Sequence, residues 1–186
     1  MIILGIDPGL ANTGWGLVEA SGNQFRCLGY GCISTPAGMD TARRLKEIHD
    51  GILGLVELHA PAECAIESIF FSVNVKSAFA TGQARGVALL ATADAGLPVG
   101  EYGPGEVKLA VTGSGSADKK QVQYMVRAIL GLAEQPKPDH AADALALAIC
   151  HANSRVSRAR VAAAAATAPA GSAAASGPAR TAGAGR

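Results

Sequence analysis

The sequence lacks any apolar run approaching the roughly 20 residues of a membrane span. A membrane-crossing role is therefore not expected. It also lacks a basic leader before its first apolar residues, and MIILGI is too short for a signal-peptide core. The expected address is the cytoplasm. Four cysteines are present, but no C-x-x-C pair and no zinc-site spacing. Cys27 and Cys32 stand five apart on a predicted strand, which places them on opposite faces and argues against a shared metal. Buried, reduced thiols are the expectation for the cysteines. No internal repeat is present.

Acidic and aromatic residues are both absent from 155–186, where Ala, Gly, Pro and Ser dominate. That segment carries Arg155, Arg158, Arg160, Arg180 and Arg186 and is predicted to be a disordered basic tail. Its first alanine-rich turns have helical propensity. Residues 1–154 hold 11 Lys and Arg against 15 Asp and Glu, so an acidic body with a net charge of −4 precedes a tail of +5. The overall +1 conceals that division. The 154-residue body is long enough for one domain with its own core.

Within the body the periodicity is legible. MIILGI, TGWGLVEA and QFRCLGYGCIST read as three strands, the last two joined by a turn at SGN. Asp40 is positioned to cap a helix running to about His59, whose apolar stripe is Leu45, Ile48, Ile52, Leu55 and Val56. AECAIES is a fourth strand, Val75 to about Ala95 a second helix, and LPVGEY a fifth strand. A short helix follows Pro104, another spans about Ala117–Leu130 with Ser116 as the expected cap, and a last one begins at Asp139. Short connections make the first three strands antiparallel neighbours, and helical crossovers make the later ones parallel. The prediction is an α/β fold: a mixed five-stranded sheet with helices on both faces.

On such a sheet Asp7 ends the first strand and Glu67 the fourth, so both acids emerge where open α/β sheets place their sites. His140 and Asp143, three apart on the last helix, share a face. Singly, each has an ordinary explanation: Asp7 as a turn former before Pro8, Glu67 as a solvated strand end, His140 and Asp143 as a polar first turn. Jointly they make a divalent-metal cluster, because concentrated acids need cations and oxygen-rich sets suit Mg²⁺ or Mn²⁺. Two-metal phosphodiester hydrolysis is the chemistry such a cluster suggests. Asp139 is a competing ligand, read instead as the N-cap of the last helix.

GIDPGLANTGWG, AIESIFFSVNVKSAFATGQARGVAL, GSADKKQVQYMV and PDHAADALALAICH resemble, in this order, the blocks of the RuvC family of Holliday-junction resolvases. The resemblance covers about residues 1–153 and implies a ribonuclease-H-like fold. It implies a homodimer that nicks two opposed strands of a four-way DNA junction symmetrically, with two Mg²⁺ or Mn²⁺ ions per site, beside the RuvA–RuvB branch-migration complex. The implied catalytic, metal-holding residues are Asp7, Glu67, Asp143 and, where some members have aspartate, His140. An imidazole there is a softer ligand, so Mn²⁺ is expected to support activity at least as well as Mg²⁺. GIDPG alone also resembles the phosphate hairpin of actin-like ATPases, but the second domain and second phosphate loop those need are not in this sequence.

The same resemblance assigns contacts beyond the metals. Of Phe70 and Phe71, it favours Phe70 as an apolar wedge at the crossover, the alternative being a core position. It places Lys108, Lys119 and Lys120 at DNA, with Lys76 and Arg85 as further DNA-binding candidates. Ala78, Gly82 and Gly86 form a ridge of small residues on the second helix. Glycines inside a soluble helix need a packing reason: here either the domain's own sheet or, as the resemblance implies, the dimer interface. The tail arginines are candidates for non-specific DNA contact.

Overall fold

The structure, a computed structural model, describes residues 1–68 and 75–167, with side chains described at 1–68 and 78–155. Strand β1 (Ile2–Asp7) is the centre of the sheet. On one side it pairs antiparallel with β2 (Asn12–Ser21), which pairs antiparallel with β3 (Gln24–Ser34). On the other it pairs parallel with β4 (Glu63–Glu67), and β4 with β5 (Val99–Tyr102). The order is β3-β2-β1-β4-β5. The predicted fold class and strand directions stand.

Because β1 is central, its alternate side chains supply two cores. Leu4 and Ile6 pack with Leu17 beneath α1 (Thr41–His59) and α2 (Val75–Asp94), where Ile48, Ile52, Ala84, Ala88 and Ala91 are buried. Ile3, Val18 and Ala65 face α3 (Pro104–Thr112), α4 (Lys119–Ile129) and α5 (Asp139–Thr167). Asp40 caps α1 as expected, accepting from the Ala42 and Arg43 amides at 3.3 and 3.1 Å.

α5 approaches the strands down to bare backbone. A Cβ added at Gly5 would lie 1.9 Å from the Ala144 carbonyl oxygen, and one at Gly14 2.0 Å from that of His140. Small residues on the helix complete the fit: Ala141, Ala142, Ala144, Ala146 and Ala148 are all buried. Farther along, the buried His151 lies 2.5 Å from Glu63 Oε2 through Nε2 and 2.9 Å from Tyr102 Oη through Nδ1. Arg155 pairs with the same Glu63. The near edge of α5 thus meets β1 and β2, and its later turns are tied to the start of β4.

Several expectations change. The cysteines of β3 do not face opposite ways. Leu17 pairs with Gly29 but Val18 with Cys27, so Leu28 is an extra residue and a bulge resets the alternation. Cys27 then packs in the α5 core while Cys32, beyond the bulge, bonds the Ala141 backbone of the same helix. Both are half-buried, whereas Cys64 and Cys150 are buried, with thiols pushed up to about 12 and about 11 by desolvation. α4 is capped by Asp118, not Ser116: Asp118 accepts from the Gln121 amide at 2.9 Å and Gln121 returns the bond at 2.8 Å. α5 is also longer than expected. It continues through Thr167 because SRARVAAAAAT is composed largely of good helix formers. The expectation of disorder for 168–186 lies outside the described residues.

Candidate metal centre

Asp7 ends β1 opposite Gly14, and Glu67 ends β4 one residue past the Ile6–Ile66 pair. Parallel pairing therefore sets the two acids side by side at the carboxyl edge of the sheet. The glycine-seated first turns of α5 bring His140 and Asp143 down to them. His140 Nδ1 lies 2.7 Å from Asp7 Oδ2, and the Asp7 side chain is only 12% exposed. Ligand atoms of Asp7, His140 and Asp143 all fall within 4.8 Å of one another, a spacing that could hold a metal ion. Glu67 stands outside that tightest trio but faces the same cleft as Asp143.

Crowded carboxylates leave an electrostatic signature. Burial pushes the Glu67 carboxyl up to about 7, and the negative charges of Asp7 and Asp143 push the same way. Burial also raises Asp143, against the pull of Lys119. Lys119, the first residue of α4, sits 3.4 Å from Asp143 Oδ2 and 3.1 Å from Asp139 Oδ2. Lys108 of α3 joins Lys119, Glu67 and Asp143 around a cavity of ≈ 210 Å³ whose remaining wall is apolar, with Val107, Val122 and Leu147. Two lysines and two carboxyl groups thus line one cleft.

Among the other predicted residues, Lys120 borders a separate cleft with Tyr124 and Asp118. Arg85 is committed to protein acceptors: Nε donates to the Glu67 carbonyl at 3.1 Å, and a terminal nitrogen pairs with Glu101. Arg155 is likewise engaged, with Glu63. Asp139 is the first residue of α5 and turns its carboxylate to Lys119 and Gln123, so it neither caps the helix nor joins the trio. Ala78 and Gly82 are half-buried and Gly86 is exposed, with nothing within 4 Å of an added Cβ. Packing against the domain's own sheet therefore does not explain Gly86. Phe79 and Leu90 are exposed on the same helix. Phe70 and the side chain of Lys76 lie outside the described residues.

Sequence reasoning missed that Lys119 is an ion-pair partner of Asp143 and that Arg85 holds the Glu67 carbonyl. It also passed over Gly5 and Gly14, whose signal was available: glycine inside otherwise β-prone strands marks close backbone approach.

The family model described as crossover junction endodeoxyribonuclease RuvC matches residues 3–151. A relative of that description from Moorella thermoacetica is 60% identical over 153 residues, covering 82% of this chain and 92% of its own. One from Chloroflexus aggregans is 55% identical over 152 residues, covering 82% and 93%. The solved structure of Thermus thermophilus RuvC in complex with Holliday junction substrate is similar at a TM-score of 0.80 and 39% identity, over 83% of this chain and 94% of that one. The yeast mitochondrial Holliday junction resolvase Ydc2 shares the fold at a TM-score of 0.60 and 11% identity, over 88% of this chain and 85% of that one.

Proposed function

The chain belongs to the RuvC family of crossover junction endodeoxyribonucleases, and from that premise we propose that it resolves four-way (Holliday) DNA junctions by paired, symmetric nicks. The observation that carries this reading is the convergence of Asp7, His140 and Asp143 within 4.8 Å, beside Glu67, at the edge of a ribonuclease-H-like sheet.

The donor set fits a divalent cation. Three carboxylates and one imidazole share a small volume, and the upward-shifted carboxyls of Glu67 and Asp143 are relieved when positive charge enters. Oxygen donors with one nitrogen suit Mg²⁺ or Mn²⁺, and we assign two ions per site to Asp7, Glu67, His140 and Asp143. These residues would hold such ions where they could supply an activated water and charge stabilisation for the leaving 3′ oxygen. The chain's own residues do the rest. Lys119 draws Asp143 toward its charged form and, with Lys108, offers positive charge to a phosphate entering the cleft. Lys120 and Lys76 extend that contact along the backbone, and Phe70 wedges the crossover step.

Two nicks placed symmetrically need two sites in a fixed relation, which a C2 homodimer supplies. The α2 ridge of Ala78, Gly82 and Gly86, flanked by exposed Phe79 and Leu90, supports that face as the interface. Work in DNA recombination and repair alongside RuvA–RuvB in the cytoplasm completes the proposal.

The test incubates the protein with a labelled synthetic four-way junction and a matching linear duplex, with Mn²⁺, with Mg²⁺ at equal concentration, and with neither. Metal-dependent paired nicks on the junction alone are expected, at least as fast with Mn²⁺. Asp7→Asn should bind the junction and leave it intact. Cutting of both DNAs alike, or cutting without metal, overturns the reading.

A further inference from the structure

Glu67 needs its direction fixed, yet it sits where the β1–β4 ladder has already ended, at Ile6–Ile66. The peptide unit that follows it is nonetheless bonded at both ends. Its carbonyl oxygen, on Glu67, accepts from Arg85 Nε at 3.1 Å, and its amide, on Ser68, donates to the Tyr102 carbonyl at 2.9 Å. Orienting this one peptide plane fixes the ψ torsion of Glu67, and so the stretch of backbone from which its side chain reaches toward the cleft.

The Arg85 side chain is built for that task. It is 17% exposed, rises from the buried side of α2 next to Ala84, and is held by Glu101, whose strand position pairs with Ile66. A planar guanidinium gripped by a carboxylate on one branch presents its Nε–H in a fixed direction, which a lysine ammonium does not reproduce. We propose that Arg85 is a positioning residue for Glu67: the Glu101–Arg85 pair locks the Glu67 peptide so that the carboxylate enters the metal centre already aimed. This rests on the reading of Glu67 as a metal-holding group. It replaces a DNA contact as the reason for an arginine at this position.

The experiment measures Mn²⁺ binding by calorimetry on the full-length, DNA-free protein, together with junction binding without metal and cleavage with it. Arg85→Leu, Arg85→Lys and Glu101→Gln are compared, each checked for folding by its melting temperature. Loss of a group that orients a ligand typically weakens metal binding about 10–100-fold. Arg85→Leu should fall in that range and lower kcat, with metal-free junction affinity unchanged. Arg85→Lys should recover only part of the loss, and Glu101→Gln should lie between it and the unmodified protein. In a Glu67→Gln background, Arg85→Leu should add nothing further to the loss of Mn²⁺ binding.

Undiminished Mn²⁺ binding in folded Arg85→Leu overturns the proposal. So does a fall in junction affinity matching the fall in cleavage, since that is the behaviour of a DNA contact. So too does an equal effect of Arg85→Leu in both backgrounds. If Arg85→Leu fails to fold, the lysine and Glu101 variants carry the same comparison. Failure of the nuclease reading itself looks different: the unmodified protein would leave junctions uncut, while the calorimetry would still report whether Arg85 acts through Glu67.

Discussion

The two faces of the sheet reach the candidate metal centre by opposite means. On one, α5 lies on bare strand backbone, and its candidate ligands His140 and Asp143 are placed by contacts between main-chain atoms. On the other, among the described residues α2 touches the site through one long side chain, Arg85, holding the Glu67 carbonyl. Backbone-on-backbone contact involves no side-chain torsion, whereas the Arg85 contact runs through several that depend on the Glu101 pair to hold them. The backbone of His140 and Asp143 is thus seated on the strands, with side chains 45% and 37% exposed toward the cleft, while the Glu67 backbone is set by an arm attached to a helix with an exposed outer face. A second copy docking on that outer face would act on Glu67 first.

The largest expected effect breaks the rigid side. Gly5→Val forces a side chain where Ala144 O already lies within 1.9 Å of the Cβ position, so the helix must lift. Overpacking against backbone should cost about 3 kcal/mol or more, roughly 6–12 °C in Tm, and abolish cleavage because His140 and Asp143 leave together. A thermal melt paired with a junction assay checks both. A variant that keeps its Tm and its activity would mean α5 is not seated as described.

Next in size is the charge on the adjustable side. The Glu67 pKa is raised from 4.5 to about 7 in the folded protein. Between those values the folded state keeps a proton that the unfolded state has released, so metal-free stability should fall as pH rises from about 4.5 to 7 and then level off. Glu67→Gln should flatten that slope and add about 1–3 kcal/mol at pH 8 without metal. Added Mn²⁺ should stabilise the unmodified protein more than the variant. Melting temperatures across pH, with and without Mn²⁺, measure all of this.

Two smaller changes sharpen the contrast. Asp118→Ala removes the cap that presents Lys119 and should cost about 1 kcal/mol, whereas Ser116→Ala should stay within about 0.5 kcal/mol by denaturant titration. Gly86→Ala, where an added Cβ meets nothing, should stabilise a dilute protomer by up to about 1 kcal/mol. The same methyl should weaken self-association in sedimentation if the small-residue ridge is where two copies meet.

Most of this architecture was legible because it is local. Strand alternation, short turns and the Asp40 cap are written over a few residues each, and parallel pairing then brought Asp7 and Glu67 to one edge. His140 and Asp143 followed from helical spacing. What escaped depends on residues distant in sequence. Gly29, beside Leu28, is one of two glycines in β3 and does not by itself single out the bulge that turns Cys27 and Cys32 to one face. Ser116 and Asp118 are both competent caps, and the register of α4 chose the one with a glutamine three residues on. Lysines near acids look like solvent charges until the fold sets Lys119 between Asp139 and Asp143. Arg85 and Glu67 are eighteen residues apart and meet only because α2 folds back on β4.

The His151–Glu63 contact gives the site a gauge length. β4 advances four residues from Glu63 to Glu67, roughly 13 Å, and α5 advances eight from Asp143 to His151, roughly 12 Å. Helix and strand repeats are therefore commensurate over this one interval, so both ends engage together. A single residue inserted in β4 would slide one end by about 3.3 Å, and one inserted in α5 would swing its side chains by about 100°. Either way only one end could stay engaged. These two segments can exchange many of their side chains, but they are closed to any change in length.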